Sequence, residues 1–439
     1  MEIINKFHQM ELECKLFELG KEINFPVWDI VRYHVYIKYL YPKERMLELK
    51  TSKKHSIHDY INICLHIVPF FVELLSKRKD NIILSCSRFI NSDGQYFDKP
   101  ADALIKTLNK KGLIIESFSG NRLAYKYIYD FSNIISRLIK KTSLHSIYYK
   151  EILISLNNTF GKCLMSFDEF SNIIHVYECE YLFYNFIFKI KKPKRIFISR
   201  GNPKASILAA NNNNASTYLL QHASIEIDQV DLSYPKKISR KDNILFPMYV
   251  LTFGTYWCKN INTPAKKIIS IGNDFYFSKP KAKNENSILI ISTIIHGKEL
   301  SILTKKIAEN RSDLKFIFKL HPNEYHKKYF YKKFFNNLKN VDIITSSIDT
   351  NELVAKSQLV ILIISSVLYE VLNQNKKVAI YKKINFERNL KFIGYKNVYF
   401  FNDLDELNFI LLQPTHYSNI KYNFFEPTNY ERIKQLFSD

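Results

Sequence analysis

Glycine is scarce in this chain, and its shortage argues against two classes of enzyme. The 439 residues include 10 glycines, and neither GxGxxG nor GxxxxGKS/T occurs. Both motifs let a backbone loop approach phosphate closely, so their absence argues against dinucleotide-binding dehydrogenases and P-loop enzymes. A phosphate site in this chain would have to use helix ends and side chains instead.

The cysteines form neither a CxxC pair nor a metal-ligand spacing, and they predict a reducing compartment rather than a disulfide framework. There are six of them: Cys14, Cys64, Cys86, Cys163, Cys179 and Cys258.

Long hydrophobic runs are missing as well. The first residues, MEIINKFHQMELECK, lack the uninterrupted apolar core of a signal peptide. The most apolar stretch, residues 61–75, is too short to span a bilayer and carries His66, Pro69 and Glu73. It predicts a helix in the protein core. We therefore expect a cytoplasmic protein. Peripheral binding to an anionic inner-membrane surface stays open.

Positive charge is present in excess. Lysine and arginine number 64 against 42 aspartates and glutamates, which gives a formal net charge of +22. Such a charge attracts nucleic acid, an acidic membrane face or a phosphorylated substrate. The lysines are scattered and form no block typical of a nucleic-acid arm, so a nucleic-acid-binding protein is only an alternative of a different class.

The order of apolar segments predicts an α/β protein. Three-and-four spacing predicts helices in residues 1–80, and from residue 81 short apolar runs alternate with helical segments. This alternation is typical of parallel sheets covered on both faces. We expect a Rossmann-like domain over residues 1–277 with a helical N-terminal extension, a polar linker over 278–287, and a second Rossmann-like domain over 288–439. The strand ends of the two sheets would face a central cleft.

Polar side chains directly follow several predicted strands. The run LKFIF leads into Lys319, His321 and Pro322. A His-Pro pair at this place predicts either a strand-ending turn, or a phosphate ligand or proton donor whose backbone the proline holds. Lys319 lies two residues before His321 and would add positive charge to the same face.

A serine pair follows another apolar run of the second domain. Ser365 and Ser366 lie between QLVILII and VLYEVL. They predict a helix N-cap, and the N–H groups at a helix start also bind anions. Glu370 would lie one turn further on, either as an ordinary acid of the first turn or as a ligand of ribose hydroxyls.

Two more polar pairs belong to the first domain. Asp93 and Gly94 follow NIILSCS and predict a turn, in which the carboxylate could act as a general base or nucleophile. Gln221 and His222 follow STYLL, where polar side chains predict a partner. No metal site is predicted, because the single DxD, residues 403–405, is better explained as the acidic start of a helix.

These segments together resemble a known class of enzymes. KLHPNE, LIISSVLYEVL and KKVAIYK resemble the carboxy-terminal half of the GT-B glycosyltransferases that make bacterial capsule and lipopolysaccharide. The His-Pro and Ser-Ser pairs resemble motifs of bacterial sialyltransferases and polysialyltransferases. SDGQYFDKPADALIKTL, LLQHASIEIDQVDLSYP and VLTFGTYW look like capsule-biosynthesis transferases, in which QHG stands where this chain has Gln221, His222 and Ala223. The resemblance covers residues 81–382.

The resemblance implies a GT-B fold and sugar transfer from a nucleotide donor to a glycan or lipid-linked glycan acceptor. The favoured donor is a CMP-linked sialic-type or other ulosonic acid. Its phosphate would be held by His321, Ser365 and Ser366, without a metal or another cofactor. Asp93 would deprotonate the acceptor hydroxyl or attack the anomeric carbon, while His321 stabilises the leaving phosphate.

The remaining polar residues would have supporting roles under the same resemblance. Gly94, Gln221 and His222 would line the sugar cleft, and Lys319 and Pro322 would complete the phosphate site. A CDP-glycerol-type glycerophosphotransferase stays open as an alternative because it shares the His-Pro and serine-rich strand ends. A nucleotide-sugar epimerase of the same shape is a more distant alternative, and a catalytically inactive scaffold is a further one.

Overall fold

The structure, a computed structural model, describes most of the chain. The described residues are 2–23, 25–40, 57–87, 89–91, 93–117, 123–139, 146–161, 165–199, 201, 204–226, 229–259, 263–278, 280, 286–345, 348–383, 386–415 and 422–438. They form two compact units. The first unit contains the described residues up to 271 together with 428–438, and the second contains residues from 272 to 427.

The first unit combines a parallel sheet with helices on its faces. Its helices are α1 (Glu2–Glu13), α2 (Val27–Leu40), α3 (Ile57–Leu75), α4 (Asp102–Leu108), α5 (Ser132–Leu138), α6 (Ser146–Thr159), α7 (Phe167–Lys191), α8 (Lys204–Asn212) and α9 (Tyr256–Lys259). Its strands are β1 (Asn81–Ser85), β2 (Phe89–Ile90), β3 (Tyr96–Phe97), β4 (Leu113–Glu116), β5 (Ile128–Tyr129), β6 (Arg195–Ile198), β7 (Ser216–Leu220), β8 (Tyr249–Thr252) and β9 (Lys267–Ser270).

Seven of these strands form one parallel sheet in the order β5-β4-β1-β6-β7-β8-β9. The strand order reverses at β1, so the loops after β1 and its neighbours leave a crevice at their carboxyl ends. The strands predicted from apolar runs are confirmed. The β2–β3 hairpin and β5 were not predicted, because pairs of two residues are too short to produce a periodic signal.

The predicted core position of residues 61–75 is wrong. Helix α3 buries Phe70 and Leu74 but leaves Leu65, Val72 and Leu75 64%, 65% and 86% exposed. Only a narrow stripe of the helix packs against the unit. The overall hydrophobicity of the segment does not show which of its faces is buried. No helix in the described part of the chain is long and apolar enough to cross a membrane.

The second unit repeats the α/β pattern. Its helices are α10 (Asp274–Phe277), α11 (Gly297–Asn310), α12 (Lys328–Phe334), α13 (Thr350–Lys356), α14 (Val367–Asn373) and α15 (Leu404–Leu412), with 3₁₀ helices at Pro322–Lys327 and Phe386–Phe392. Its strands are β10 (Ser287–Ile291), β11 (Lys315–Lys319), β12 (Val341–Ile344), β13 (Leu359–Leu362), β14 (Lys377–Tyr381) and β15 (Val398–Phe401). They pair in parallel in the order β12-β11-β10-β13-β14-β15.

Each unit is therefore Rossmann-like, which confirms the predicted α/β class and its extra N-terminal helices. The central strands are buried along their whole length, as in β10, because helices cover both faces of the sheet.

The end of the chain departs from the predicted division into domains. The last helix, α16 (Tyr430–Ser438), packs in the first unit, where it buries Ile433 and Leu436. Residues 428–438, which were predicted to belong to the second domain, therefore belong to the first unit. Residues 279 and 281–285 of the predicted linker lie outside the described residues.

Candidate functional site

In the second sheet, the strand that precedes the His-Pro pair lies beside the point where the strand order reverses. Strand β10 is central, with β11 on one side and β13 on the other. Lys319 ends β11, and Ser365 follows β13. The loops after both strands therefore converge at the edge where open α/β sheets bind ligands.

His321 lies two residues after the end of β11 and starts a short helix. It is the N-cap of the 3₁₀ helix Pro322–Lys327, with Pro322 at the first position. Its Nδ1 accepts a hydrogen bond of 3.2 Å from the backbone N–H of Asn323. Because Nδ1 accepts, the neutral imidazole carries its proton on Nε2 and presents a donor there.

A buried carboxylate that was not predicted supports this turn. Glu324 is fully buried, and it accepts hydrogen bonds from Ser292 Oγ at 2.7 Å and Tyr331 Oη at 3.0 Å. It also accepts from the backbone N–H of His321 at 3.4 Å, which completes a capping box. The spacing of His321 and Glu324 was the signal that could have identified it. A Cβ on Gly297 would lie 2.3 Å from Glu324 Oε1, so only glycine fits there.

Lys319, the last residue of β11, is close enough to Asp349 and Glu370 for their charges to affect its pKa. Burial lowers the pKa of Lys319, and the nearby charges of Asp349 and Glu370 oppose that shift. Glu370 is buried in the first turn of α14. Lys319 is therefore a partly desolvated cation on which the charges of two carboxylates act.

The serine pair begins α14 in the predicted way, although only one hydroxyl takes part. Ser365 Oγ accepts a hydrogen bond of 3.2 Å from the backbone N–H of Val367. Ser366 is the N-cap residue and is exposed, but its side chain makes no capping hydrogen bond. Ser365 thus shapes the turn.

Asp93 and Gly94 form the tip of the β2–β3 hairpin in the first unit. Both are exposed, and Gly94 has a φ of +73°. Asn91 Oδ1 accepts from the backbone N–H groups of Asp93 at 3.0 Å and Gln95 at 2.8 Å. The pair is a turn, and its catalytic role stays a prediction.

Gln221 and His222 have different environments in the structure. Gln221 is buried, donates to the Ala223 carbonyl at 2.9 Å and accepts from the Phe253 N–H at 2.8 Å. It therefore ties the carboxyl ends of β7 and β8 together. His222 is exposed.

Two buried carboxylates that were not predicted lie where the strand order of the first sheet reverses. Asp98 accepts from the Cys86 N–H at 3.0 Å and from Ser199 Oγ at 2.8 Å, which joins the ends of β1 and β6. Glu116, the last residue of β4, accepts from the N–H of Ser87 at 3.0 Å. Asp98 directly follows the β2–β3 hairpin and not a long apolar strand. The sequence therefore offered no apolar run before Asp98 from which its position could be predicted.

A shared hydroxyl links the two carboxylates. Ser85 Oγ lies 3.0 Å from Asp98 Oδ2 and 2.8 Å from Glu116 Oε2. One hydroxyl proton cannot satisfy both acceptors, whereas a protonated Asp98 can donate to Ser85 while Ser85 donates to Glu116. Burial raises the pKa of Asp98 to about 7; hydrogen bonds from Cys86 and Ser199 oppose this, and the Glu116 charge adds to it.

An open cavity of about 500 Å³ lies at the same edge of the first sheet. Cys86, Ser117 and Gly201, which follow β1, β4 and β6, line one side of it. Helices α2, α5 and α7 contribute the other lining residues, namely Ile30, His34, Asn133, Asn172, Ile173, Val176, Tyr177 and Glu180.

The lining of this cavity combines apolar side chains with amides, hydroxyls and one acid, Glu180. Burial lowers the pKa of His34, the charge of Lys38 adds to the shift and the charge of Glu169 opposes it, which together favour the neutral imidazole. Tyr177 is 5% exposed, and its hydroxyl has no hydrogen-bond partner among the described residues. Amides and hydroxyls in a concave site of this size suit a hydroxylated small molecule.

Metal-ion ligands do not cluster in the part of the chain that the structure describes. The DxD lies where a helix start was predicted. Asp403 is the N-cap of α15, and its side chain accepts from the Glu406 N–H at 2.9 Å. The helical interpretation of this motif is confirmed.

No family model and no curated protein matches the chain. Its fold is similar to that of UDP-GlcNAc 2-epimerase from Neisseria meningitidis bound to UDP-GlcNAc, at 12% identity and a TM-score of 0.48, over 82% of this chain and 100% of that one. UDP-GlcNAc 2-epimerase from Methanocaldococcus jannaschii matches at 13% identity and a TM-score of 0.47, over 82% and 99%. Acinetobacter baumannii MurG matches at 11% identity and 0.38, over 82% and 90%. At such low identity no residue's role is carried over.

Proposed function

We propose that the chain is a glycosyltransferase that takes its sugar from a nucleotide-activated donor and needs no metal. One observation carries the proposal most: Lys319 ends β11 just before the His321 turn, at the carboxyl edge of the second sheet, and the charge of Glu370 acts on it. A cation, an imidazole N–H donor and a buried carboxylate match the phosphate and ribose of a nucleotide.

The proposed donor site lies in the second unit. Lys319 and the Nε2–H of His321 would neutralise the phosphate as the bond between the anomeric carbon and the phosphate oxygen breaks. Glu370 would accept hydrogen bonds from ribose hydroxyls. Ser365 and Ser366 would shape the loop around the phosphate. The sequence resemblance supports a CMP-linked ulosonic acid as the donor.

The proposed acceptor site lies in the first unit, whose cavity suits a glycan with free hydroxyls. Asp93 is the proposed catalytic carboxylate. As a base it would take the proton of the acceptor hydroxyl, whose oxygen then bonds to the anomeric carbon. As a nucleophile it would bond to that carbon first, and the acceptor would displace it.

A donor panel tests the proposal. The wild-type chain is incubated with CMP-, CDP-, UDP- and GDP-linked donors, and thermal shift and donor turnover are measured. We expect one class to stabilise the chain, and His321→Ala to weaken that binding by about 10- to 100-fold because a charge-assisted hydrogen bond is lost. His326→Ala is the matched control, since His326 is an exposed histidine of the same 3₁₀ helix. Absence of any shift and any turnover in the wild type contradicts the proposal.

Asp93→Asn tests the carboxylate separately. General-base catalysis predicts a loss in kcat on the order of 10²- to 10⁴-fold with unchanged donor binding. Intact-mass measurement of trapped enzyme distinguishes a base from a nucleophile, because only the nucleophile carries the sugar. Full activity of Asp93→Asn would remove Asp93 from the mechanism while leaving the donor site in place.

A further inference from the structure

Helix α3 exposes an apolar face that is unusual for the surface of a protein in water. The residues of this α3 face are between 41% and 86% exposed and comprise Leu65, Ile67, Val68, Phe71, Val72 and Leu75. Single exposed apolar residues are common, but a face of this extent marks an interaction site.

The opposite side of α3 is firmly docked. Phe70 packs against Phe131 and Phe183, with ring centroids 5.3 and 5.9 Å apart. Lys191 Nζ donates to the backbone carbonyl of Ser76 at 3.0 Å, directly after the helix ends. The α3 face is therefore held outward by packing and a buried cation.

Helix α7, which packs beside α3, presents a second apolar row. Leu182, Phe186 and Ile190 are 57%, 50% and 38% exposed, and their i, i+4, i+8 spacing places them on one side of α7. The Phe70–Phe183 contact joins the two helices.

Basic side chains border these apolar residues. Lys77 and Arg78 are exposed immediately after α3, and Lys189 and Lys192 are exposed at the end of α7. Glu73, the acid near the end of α3, is paired with Lys126 at 3.2 Å. The border therefore has a surplus of positive charge.

We propose that the α3 face binds an anionic lipid bilayer, with α3 lying in the plane of the membrane interface. Apolar side chains beside lysine and arginine match acyl chains beside anionic headgroups. A second copy of this chain fits less well as the partner. Two copies would each carry a formal net charge of +22 and the same basic border, and these like charges would repel each other. The proposal does not depend on the proposed function.

Vesicle sedimentation of the full chain tests this surface. The probes are vesicles of phosphatidylcholine alone and of phosphatidylcholine with phosphatidylglycerol at 3:1. We expect binding to the anionic vesicles that falls with added salt. Leu75→Glu should weaken it by on the order of tenfold or more, because a charge enters the apolar interface.

Leu412→Glu is the matched control. Leu412 is 83% exposed against 86% for Leu75, and it also ends a helix, but in the second unit. We expect this variant to bind vesicles as the wild type does. The double variant Lys77→Glu with Arg78→Glu should abolish the preference for anionic vesicles.

Three results would overturn the proposal: no vesicle binding by the wild type, equal losses in Leu75→Glu and Leu412→Glu, or a wild-type dimer that Leu75→Glu dissociates. All variants change exposed side chains, and their melting temperatures verify folding. Donor-induced thermal shift of Leu75→Glu should equal that of the wild type, so a failure of membrane binding is distinguishable from a failure of the donor site.

Discussion

Asp98 in the first unit and Glu324 in the second have the same structural role. Each is a buried carboxylate that accepts hydrogen bonds from groups at the ends of two neighbouring strands, β1 and β6 for Asp98 and β10 and β11 for Glu324. A carboxylate can accept several hydrogen bonds at once, so one side chain can fix two loops. These residues hold the edges at which both proposed substrates would bind.

The pKa of Asp98 predicts a pH-dependent stability. The unfolded chain releases this proton near its ordinary pKa of about 4, whereas the folded chain retains it up to about 7. Between these values the folded state binds more protons, so this contribution to stability is lost as the pH rises. We expect the free energy of unfolding of the wild type relative to Asp98→Asn to fall by roughly 2–3 kcal/mol from pH 5 to pH 7.5.

Urea unfolding followed by tryptophan fluorescence measures this effect, because both tryptophans, Trp28 and Trp257, lie in the first unit. Asp93→Asn is the control, since Asp93 is exposed, and it should retain the pH dependence of the wild type. A parallel pH dependence in the wild type and Asp98→Asn would show that Asp98 is ionised throughout this range.

Tyr177 and Tyr184 lie on the same helix but differ in their hydroxyl partners. Tyr184 donates to Asp130, whereas the Tyr177 hydroxyl has no partner among the described residues. We expect Tyr184→Phe to lower the free energy of unfolding by about 1–3 kcal/mol and Tyr177→Phe to leave it unchanged or to raise it. Chemical denaturation compares the two variants. A loss above about 1 kcal/mol in Tyr177→Phe would show that this hydroxyl is structural.

At the scale of elements, two buried ion pairs attach the N-terminal helices to the first unit. Arg32 of α2 pairs with Glu11 of α1 and also donates to the Ser233 carbonyl at 2.9 Å. Lys204 of α8 pairs with Asp29 of α2 at 2.8 Å. Buried charges need such partners, so these contacts specify where α1 and α2 dock.

Glu11→Gln should release α1. The change leaves the guanidinium of Arg32 buried without its countercharge, and we expect a loss of about 3–5 kcal/mol. Hydrogen exchange of the α1 amides and urea unfolding measure this loss. Glu431→Gln is the control, because its pair with Lys434 is exposed and should contribute less than about 1 kcal/mol. Equal effects of the two changes would contradict the docking role.

At the scale of the whole molecule, the chain returns to its first unit at the end. Helix α16 places Ile433 in the core of that unit, Phe437 against Phe197 at 5.3 Å, and the Arg432 guanidinium on the Ser270 carbonyl at 2.7 Å. Helix α16 is therefore part of the core of the first unit.

Ile433→Ala should destabilise the first unit by about 2–5 kcal/mol, because the side chain is fully buried. Tryptophan-detected unfolding reports this loss. Hydrogen exchange of β10 and β13 should stay at the wild-type rate, since these strands belong to the second unit. Ile302→Ala is the control, because Ile302 is 41% exposed. A loss confined to the second unit would contradict this assignment of α16.

The amino-acid sequence by itself determined the two α/β units and their polar strand ends, because apolar periodicity and local capping depend on near neighbours. For that reason His321, Pro322 and Ser365 lie after strands and at helix starts, as their local sequence predicts. Only the tertiary structure decided that Asp98 and Glu324 are the buried carboxylates, that α3 faces outward and that α16 joins the first unit. Burial depends on which distant segments pack together, and strand order in these sheets does not follow chain order.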